Sequence, residues 1–272
     1  MIKEIIDKLV ALLAVSALLA SCSESELWQN PQTEARDGYI MLNFKTEIPA
    51  MQEVVTRAVD PDGGGVQDMT LFCFDSYGLF ISTVKAGVTV QKPGPGEMEG
   101  TFKAEVPENT RTIHFLANQN MDEFKEDSFR NKSESEVMAV LEGSSGRMIY
   151  WGRFACDAGN DSNIAEQMAT SGNSVKLIRN HARISVDNPD NNGHIVITGF
   201  AVCNTNAFGT VAPHHPKKGF DFTWPSSDDP FVTLPVNDAK MSDITDVTSS
   251  MNQYVFECEN SADAPVSVIL RG

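Results

Sequence analysis

The clearest folding signal in the chain is the stretch from Met69 to Val84, which reads MTLFCFDSYGLFISTV. Its first six residues are mostly apolar on both faces of an extended chain, a pattern typical of a strand buried between two layers. The tetrapeptide Asp75-Ser76-Tyr77-Gly78 then supplies turn-forming residues, and a second apolar run follows from Leu79. We therefore predict a β-hairpin over residues 69–84.

Alternating patterns extend this signal along most of the chain. In residues 38–47, Ile40, Leu42 and Phe44 alternate with Met41, Asn43 and Lys45, as a strand with one buried face requires. Further strands are predicted at 102–106, 113–117, 175–177, 182–186, 195–203, 231–234, 254–258 and 266–270. Only Ser133–Leu141 has helical spacing. We therefore predict an all-β fold with one short helix, built as β-sandwiches with Greek-key connections.

A polar stretch rich in Gly, Asn and Asp, residues 157–173, divides these strands into two groups. It predicts two domains, an N-terminal sandwich over residues 38–157 and a C-terminal sandwich over residues 174–272. The second group is short of the seven strands of a complete sandwich. Two explanations stay open: another chain fills the edge of the C-terminal sandwich, or the sequence is a fragment and this domain is incomplete.

The first 21 residues have the form of a secretory signal. Lys3 and Lys8 flank the charged start, and an apolar run from Leu9 to Leu19 follows, too short for a stable bilayer anchor. Cys22 comes directly after Leu-Ala-Ser and resembles the lipobox cysteine of bacterial lipoproteins. We therefore expect residues 1–21 to be a lipoprotein signal peptide, Cys22 to carry the lipid, and residues 22–37 to form a tether.

Composition and charge exclude several function classes. The formal net charge is -16, and no cluster of Lys and Arg forms a basic patch, so nucleic acid is not an expected partner. The remaining cysteines are widely spaced, which does not fit a zinc site: Cys73, Cys156, Cys203 and Cys258. They are compatible either with buried free thiols or with two disulfides in an oxidising compartment.

No catalytic or metal-binding constellation is evident. Gly143-Ser144-Ser145-Gly146 lacks the spacing of a nucleophile elbow, and no two of the five histidines show the i, i+4 spacing of a helical metal site. The loop at Asp60-Pro61-Asp62-Gly63 lacks the later ligands of a calcium loop. We predict a protein that is not an enzyme and has no cofactor and no metal.

These segments together resemble the fimbrillin family of Bacteroidales, whose members build surface fimbriae. The similar pieces are the lipobox at Cys22, residues 55–59 (VTRAV), 71–78 (LFCFDSYG), 175–184 (VKLIRNHARI), 254–260 (YVFECEN) and the stretch after Pro265. The resemblance implies two tandem β-sandwiches of transthyretin-like topology. It also implies a structural subunit on the outer membrane and in the fimbrium at the cell surface, with other fimbrial subunits as its partners.

The resemblance further implies assembly by donor-strand exchange. In shaft subunits an arginine-specific protease cuts the lipidated precursor after an arginine, and the vacated groove accepts a strand from another subunit. The matching bond here is Arg57-Ala58, and residues 38–47 are part of the strand that would be removed. Shaft, tip and anchor roles are not separable from these residues, and an anchor keeps its lipid without cleavage.

An alternative from another class is a surface lipoprotein that binds glycans. Tyr150, Trp151 or Trp224 would then stack on a sugar ring, whereas a position beside Ile149 and Phe154 is typical of core aromatic residues.

Overall fold

The computed structural model describes residues 35–48, 66–91, 100–144, 148–186, 197–214, 231–237 and 252–272. Two α-helices in these ranges are α1 (Glu134–Met138) and α2 (Ile164–Thr170), and a 3-10 helix spans Glu126–Phe129. The strands are β1 (Tyr39–Glu47), β2 (Met69–Phe74), β3 (Phe80–Lys85), β4 (Gly87–Gln91), β5 (Gly100–Pro107), β6 (Thr112–Ala117), β7 (Glu142–Ser144), β8 (Tyr150–Ala155), β9 (Ser174–Lys176), β10 (Ile178–Arg179), β11 (His181–Ser185), β12 (Gly199–Cys203), β13 (Phe208–Thr210), β14 (Asn252–Phe256) and β15 (Ser267–Arg271).

Two sheets pack face to face in the N-terminal part of the chain. One has four strands in the order β4-β5-β1-β9, and the other has five in the order β10-β8-β6-β2-β3. Alternate residues of the strands in both sheets, among them Leu42, Phe102 and Leu71, meet in one buried core. The prediction of an all-β sandwich fold is thereby confirmed.

The five-stranded sheet is covered on both faces, because β2 and β6 are buried at every position. Phe72, Phe74 and Trp151 face away from the first core and form a second one, to which α1 and residues such as Val211 and Val232 contribute. This arrangement explains the run of apolar residues in β2, since a strand between two apolar layers has no solvent face.

The predicted hairpin over residues 69–84 is confirmed. Strands β2 and β3 pair antiparallel, and β2 also pairs with β6. The Asp75 carboxylate accepts hydrogen bonds from the backbone N–H groups of Tyr77 at 2.8 Å and Leu79 at 3.0 Å. Gly78 has a φ of 72°, a left-handed conformation that glycine adopts without steric cost.

The predicted helix at Ser133–Leu141 is confirmed as α1, with Ser133 and Glu136 forming a capping box. A second helix, α2, lies in the polar stretch that we predicted to be a domain boundary, so the expectation of one short helix is wrong. Asn163 and Glu166 cap α2, and its buried residues include Ile164 and Met168. Its apolar face is short, which is why periodicity alone did not reveal it.

Residues 174–179 belong to the sheets of the N-terminal sandwich. Strand β9 pairs in parallel with β1, and β10 pairs antiparallel with β8. The division into two domains stays a prediction, and this pairing leads us to propose that its boundary lies after Arg179 rather than within residues 157–173.

The strands after Arg179 form pairs rather than a second packed sandwich in the described residues. These pairs are β11 with β14, β12 with β15, and β13 with β7. The predicted hairpin between residues 182–186 and 195–203 does not form there, and residues 231–234 are not a strand. None of the described helices is long and apolar enough to cross a membrane.

Candidate assembly groove

Strand β1 lies in the interior of the four-stranded sheet, between β5 and β9. It pairs antiparallel with β5 at eight positions, from Tyr39 to Thr46, and in parallel with β9 at three. The Lys45 N–H donates to the Asn173 carbonyl and the Leu177 N–H donates to the Glu47 carbonyl, each at 2.7 Å. We call the space between β5 and β9 that β1 occupies the assembly groove.

The inner face of β1 fills this groove with large apolar side chains. Ile40, Leu42, Phe44 and Ile48 are all buried in the core between the sheets. The Phe44 ring stacks on Phe102 with centroids 5.5 Å apart and meets Phe115 edge-on at 5.0 Å. Burial of each such side chain contributes about 1.5–3 kcal/mol, so the inner face holds β1 firmly in the sheet.

Thr46 interrupts this apolar row. It points to the same side as Phe44 and Ile48 and is fully buried, and its hydroxyl has no hydrogen-bond partner among the described residues. Gly100 is its cross-strand partner on β5. A Cβ built on Gly100 would lie 2.4 Å from the Phe102 ring and 3.4 Å from the Thr46 hydroxyl, so only glycine leaves room for that ring.

Polar contacts fix both ends of β1 on its outer side. The Arg36 guanidinium donates to Glu105 at 2.7 Å and lies over the Tyr39 ring, 4.3 Å from its centroid. At the other end, the Ser174 hydroxyl donates to the Glu47 carboxylate at 2.6 Å. These contacts are largely exposed, so they define the register of β1 more than its stability.

A buried polar network lies on the far face of the five-stranded sheet, beneath α1. Arg153 donates to both carboxylate oxygens of Glu134, at 2.6 and 2.9 Å. His114 Nε2 lies 2.6 Å from the same carboxylate, and Trp151 Nε1 donates to His114 Nδ1 at 3.1 Å. Because Nδ1 accepts a hydrogen bond, Nε2 must carry the proton and donate it to Glu134, so the imidazole is neutral.

Burial and hydrogen bonding set the charge states of this network. Burial lowers the pKa of His114, despite the opposing hydrogen bond to Glu134. Burial alone would raise the pKa of Glu134, but hydrogen bonds from His114 and Arg153 outweigh it and lower the pKa to about 2. The charged carboxylate therefore stabilises the fold above about pH 4.5, and this contribution is lost as the pH falls towards 2.

The residues predicted for lipidation and processing lie outside the described residues. These are Cys22, Arg57 and Ala58, together with the signal peptide of residues 1–21. Strand β1, which precedes Arg57, and β2, which follows it, are both described. The bond between Arg57 and Ala58 therefore lies in the only covalent link from β1 to the rest of the sandwich.

The aromatic residues of the glycan-binding alternative differ in placement. Tyr150 and Trp151 are fully buried, so neither ring presents a face to a sugar. Trp224 lies outside the described residues. Burial of Trp151 agrees with the interpretation of these two rings as core residues.

In the part of the chain that the structure describes, thiols and imidazoles do not gather into a site. The four cysteines after Cys22 are free, and burial raises the pKa of Cys73 to about 12, which keeps this thiol protonated. His181 is buried against Phe256, and its pKa is lowered to about 4 by that burial. Within the described ranges, no three His, Cys, Asp or Glu side chains form a group that fits a metal ion.

Sequence reasoning missed three features of this region. Strand β9 is too short to be recognised as the neighbour of β1, and Glu47 and Ser174 at their contact are 127 positions apart in the sequence. The Glu134–Arg153 contact joins two segments that no local pattern relates. Thr46, in contrast, has a visible signal, because it is the one hydroxyl in the row of inner-face positions 40, 42, 44, 46 and 48.

Comparison with known proteins gives structural matches only. No protein-family model and no curated protein matches the chain. A fimbrial assembly protein from Parabacteroides distasonis is 12% identical, with 85% of this chain and 81% of that chain covered and a TM-score of 0.46. The C-terminally truncated tip fimbrial protein Mfa3 from Porphyromonas gingivalis is 15% identical, with 82% and 71% covered and a TM-score of 0.46. These two solved structures that this chain matches are thus those of fimbrial proteins.

Proposed function

We propose that this chain is a structural, non-catalytic subunit of cell-surface fimbriae that assembles by donor-strand exchange. The observation that supports this proposal is the position of β1 as an interior strand that precedes every other described strand of the sandwich. A single cut after Arg57 would release β1 without breaking the chain anywhere else.

Loss of β1 would change the sandwich in a specific way. Strands β5 and β9 would each present an unpaired backbone edge, and the pockets of Leu42 and Phe44 would open to water. Such an edge is a template for pairing with another chain. A strand from a second subunit would restore the hydrogen bonds and refill the pockets, which would join the two subunits.

The same proposal assigns a route to the surface. The chain would be exported as a lipoprotein with its lipid on Cys22, and cleavage by an arginine-specific protease would then release it from the outer membrane. While uncut, β1 fills its own groove, so the precursor has no open edge at this place and would stay monomeric.

The test is processing and polymerisation of the full-length protein in its native cell. The proposal predicts a ladder of polymers for the wild type on gels of unboiled surface fractions, and we expect Arg57→Ala to leave the chain uncut and to abolish this ladder. Arg130→Ala is the matched control, because Arg130 is an exposed arginine outside β1 whose ion pair is with the exposed Asp127. This control variant should polymerise as the wild type does.

N-terminal sequencing of the surface protein completes the test. A chain that begins at Ala58 supports the proposal, and so does loss of that N-terminus in Arg57→Ala. Polymers that persist in Arg57→Ala with an intact residue 57–58 bond would contradict assembly through β1 removal.

A further inference from the structure

The inner face of β1 contains one position that fits its pocket poorly, and it lies next to the position that fits best. We infer that the assembly groove selects its incoming strand at these two positions: it requires an aromatic residue in place of Phe44 and prefers an apolar β-branched residue in place of Thr46. Strand β1 is then the weaker occupant, which a strand of another subunit displaces. This inference rests on the proposed function, since it takes the groove as the receiving site.

Selectivity must come from side chains, because the backbone contributes equally for every occupant. Any extended strand can form the same ladder with β5 and β9. The side chains at positions 40, 42, 44, 46 and 48 are buried on the inner face of β1, and Met41 is buried on the opposite face. The five inner-face residues therefore contribute most to which strand binds more tightly.

The Phe44 position is an aromatic pocket. Phe102 offers a ring face at 5.5 Å and Phe115 meets the Phe44 ring edge-on at 5.0 Å, and all three side chains are buried. Paired aromatic rings gain more than their buried area alone provides. An aliphatic residue here would leave part of this pocket empty, which weakens binding by the lost contacts and by the cavity.

The Thr46 position, in contrast, weakens the binding of β1 in its own groove. Its hydroxyl is removed from water and gains no partner in the described residues, so its desolvation is not offset by a hydrogen bond. Valine has the same shape without the hydroxyl. A donor with valine at this position would fill the space beside Gly100 equally well and avoid the cost of burying the hydroxyl.

The experiment measures strand selection in trans on one unchanged protein. A site-specific protease sequence next to Ala58 allows the folded full chain to be cut there, and labelled peptides of residues 38–48 then compete with β1 for the groove. The peptides are the wild type, Thr46→Val, Phe44→Leu and Asn43→Val. The Asn43 peptide is the matched control, because it adds the same apolar β-branched residue on the opposite face of the strand.

We expect Thr46→Val to dissociate at least tenfold more slowly than the wild-type peptide, and Phe44→Leu at least tenfold faster, with Asn43→Val within threefold of the wild type. Equal dissociation of the Thr46→Val and wild-type peptides would overturn the inference, as would an equal gain from Asn43→Val. Peptide selection of the expected kind combined with full polymerisation of Arg57→Ala in cells would retain the pocket preference and refute the proposed function. Polymers that depend on Arg57, combined with peptides that show no such selection, would support the proposed function and refute the pocket preference.

Discussion

The N-terminal sandwich and the strands that follow Arg179 differ in how they bury apolar residues. Of the twelve largest fully buried side chains in the described residues, eleven lie in the N-terminal part and only Phe200 lies beyond it. In contrast, Phe208, Val236, Val268 and Leu270 are at least 48% exposed. Two sheets that face each other bury both inner faces, whereas a two-stranded ribbon is marginal unless something packs against it.

The difference matters for the proposed assembly. Removing β1 takes a strand from the better-packed part of the molecule, where the eight other strands of the two sheets, two cores and the Glu134–Arg153 contact remain. A groove that stays open until a partner arrives requires a stable frame around it. The N-terminal sandwich can provide this frame, and the following variants measure how far its stability depends on β1.

The largest expected effect comes from Phe44→Ala. Truncation of this buried ring removes its contacts with Phe102 and Phe115 and leaves a cavity, which we expect to lower the free energy of unfolding by about 4 kcal/mol. Urea unfolding followed by tryptophan fluorescence measures it. Tyr77→Ala is the matched control, because Tyr77 is 85% exposed at the hairpin turn and should cost less than about 0.5 kcal/mol. Similar losses in the two variants would show that β1 is not packed as described.

A smaller decrease in the free energy of unfolding is expected for Glu134→Gln. This variant tests the five-stranded sheet and α1 rather than the assembly groove. The amide removes the charge partner of Arg153, whose side chain is 4% exposed, and we expect a loss of about 3 kcal/mol at pH 7. The control Asp127→Asn alters an exposed ion pair with Arg130 and should change the free energy of unfolding by no more than about 0.5 kcal/mol.

The pH dependence of the free energy of unfolding provides a more specific test of the role of Glu134. The folded-state pKa of Glu134 is about 2, against about 4.5 in the unfolded chain, so its contribution is complete above pH 4.5 and declines as the pH falls towards 2. The difference in the free energy of unfolding between the wild type and Glu134→Gln should therefore decrease as the pH falls from 4.5 to 2. A difference that stays constant with pH would mean that the carboxylate charge does not stabilise the network.

Features of the fold and of the groove could be predicted from the sequence where the interacting residues are close together in the chain. Ile40, Leu42 and Phe44 revealed β1 because alternation is local, and Asp75 to Gly78 revealed the hairpin because turn chemistry is local as well. The place of β9 beside β1 and the meeting of His114, Glu134 and Arg153 depend on tertiary packing, which no short pattern encodes. Helix α2 was missed although Asn163 and Glu166 carry a capping-box signal.

The smallest effect is expected on the other side of the comparison, for Leu270→Ala. Leu270 lies opposite Phe200 on the ribbon of β12 and β15, but it is 54% exposed, whereas Phe200 is fully buried. Truncation should therefore change the free energy of unfolding by about 0.5 kcal/mol or less in the urea measurement. Leu71→Ala, a fully buried leucine in β2, is the matched control and should cost about 3 kcal/mol. A loss at Leu270 close to that at Leu71 would mean that another segment or a second molecule covers β15 in solution.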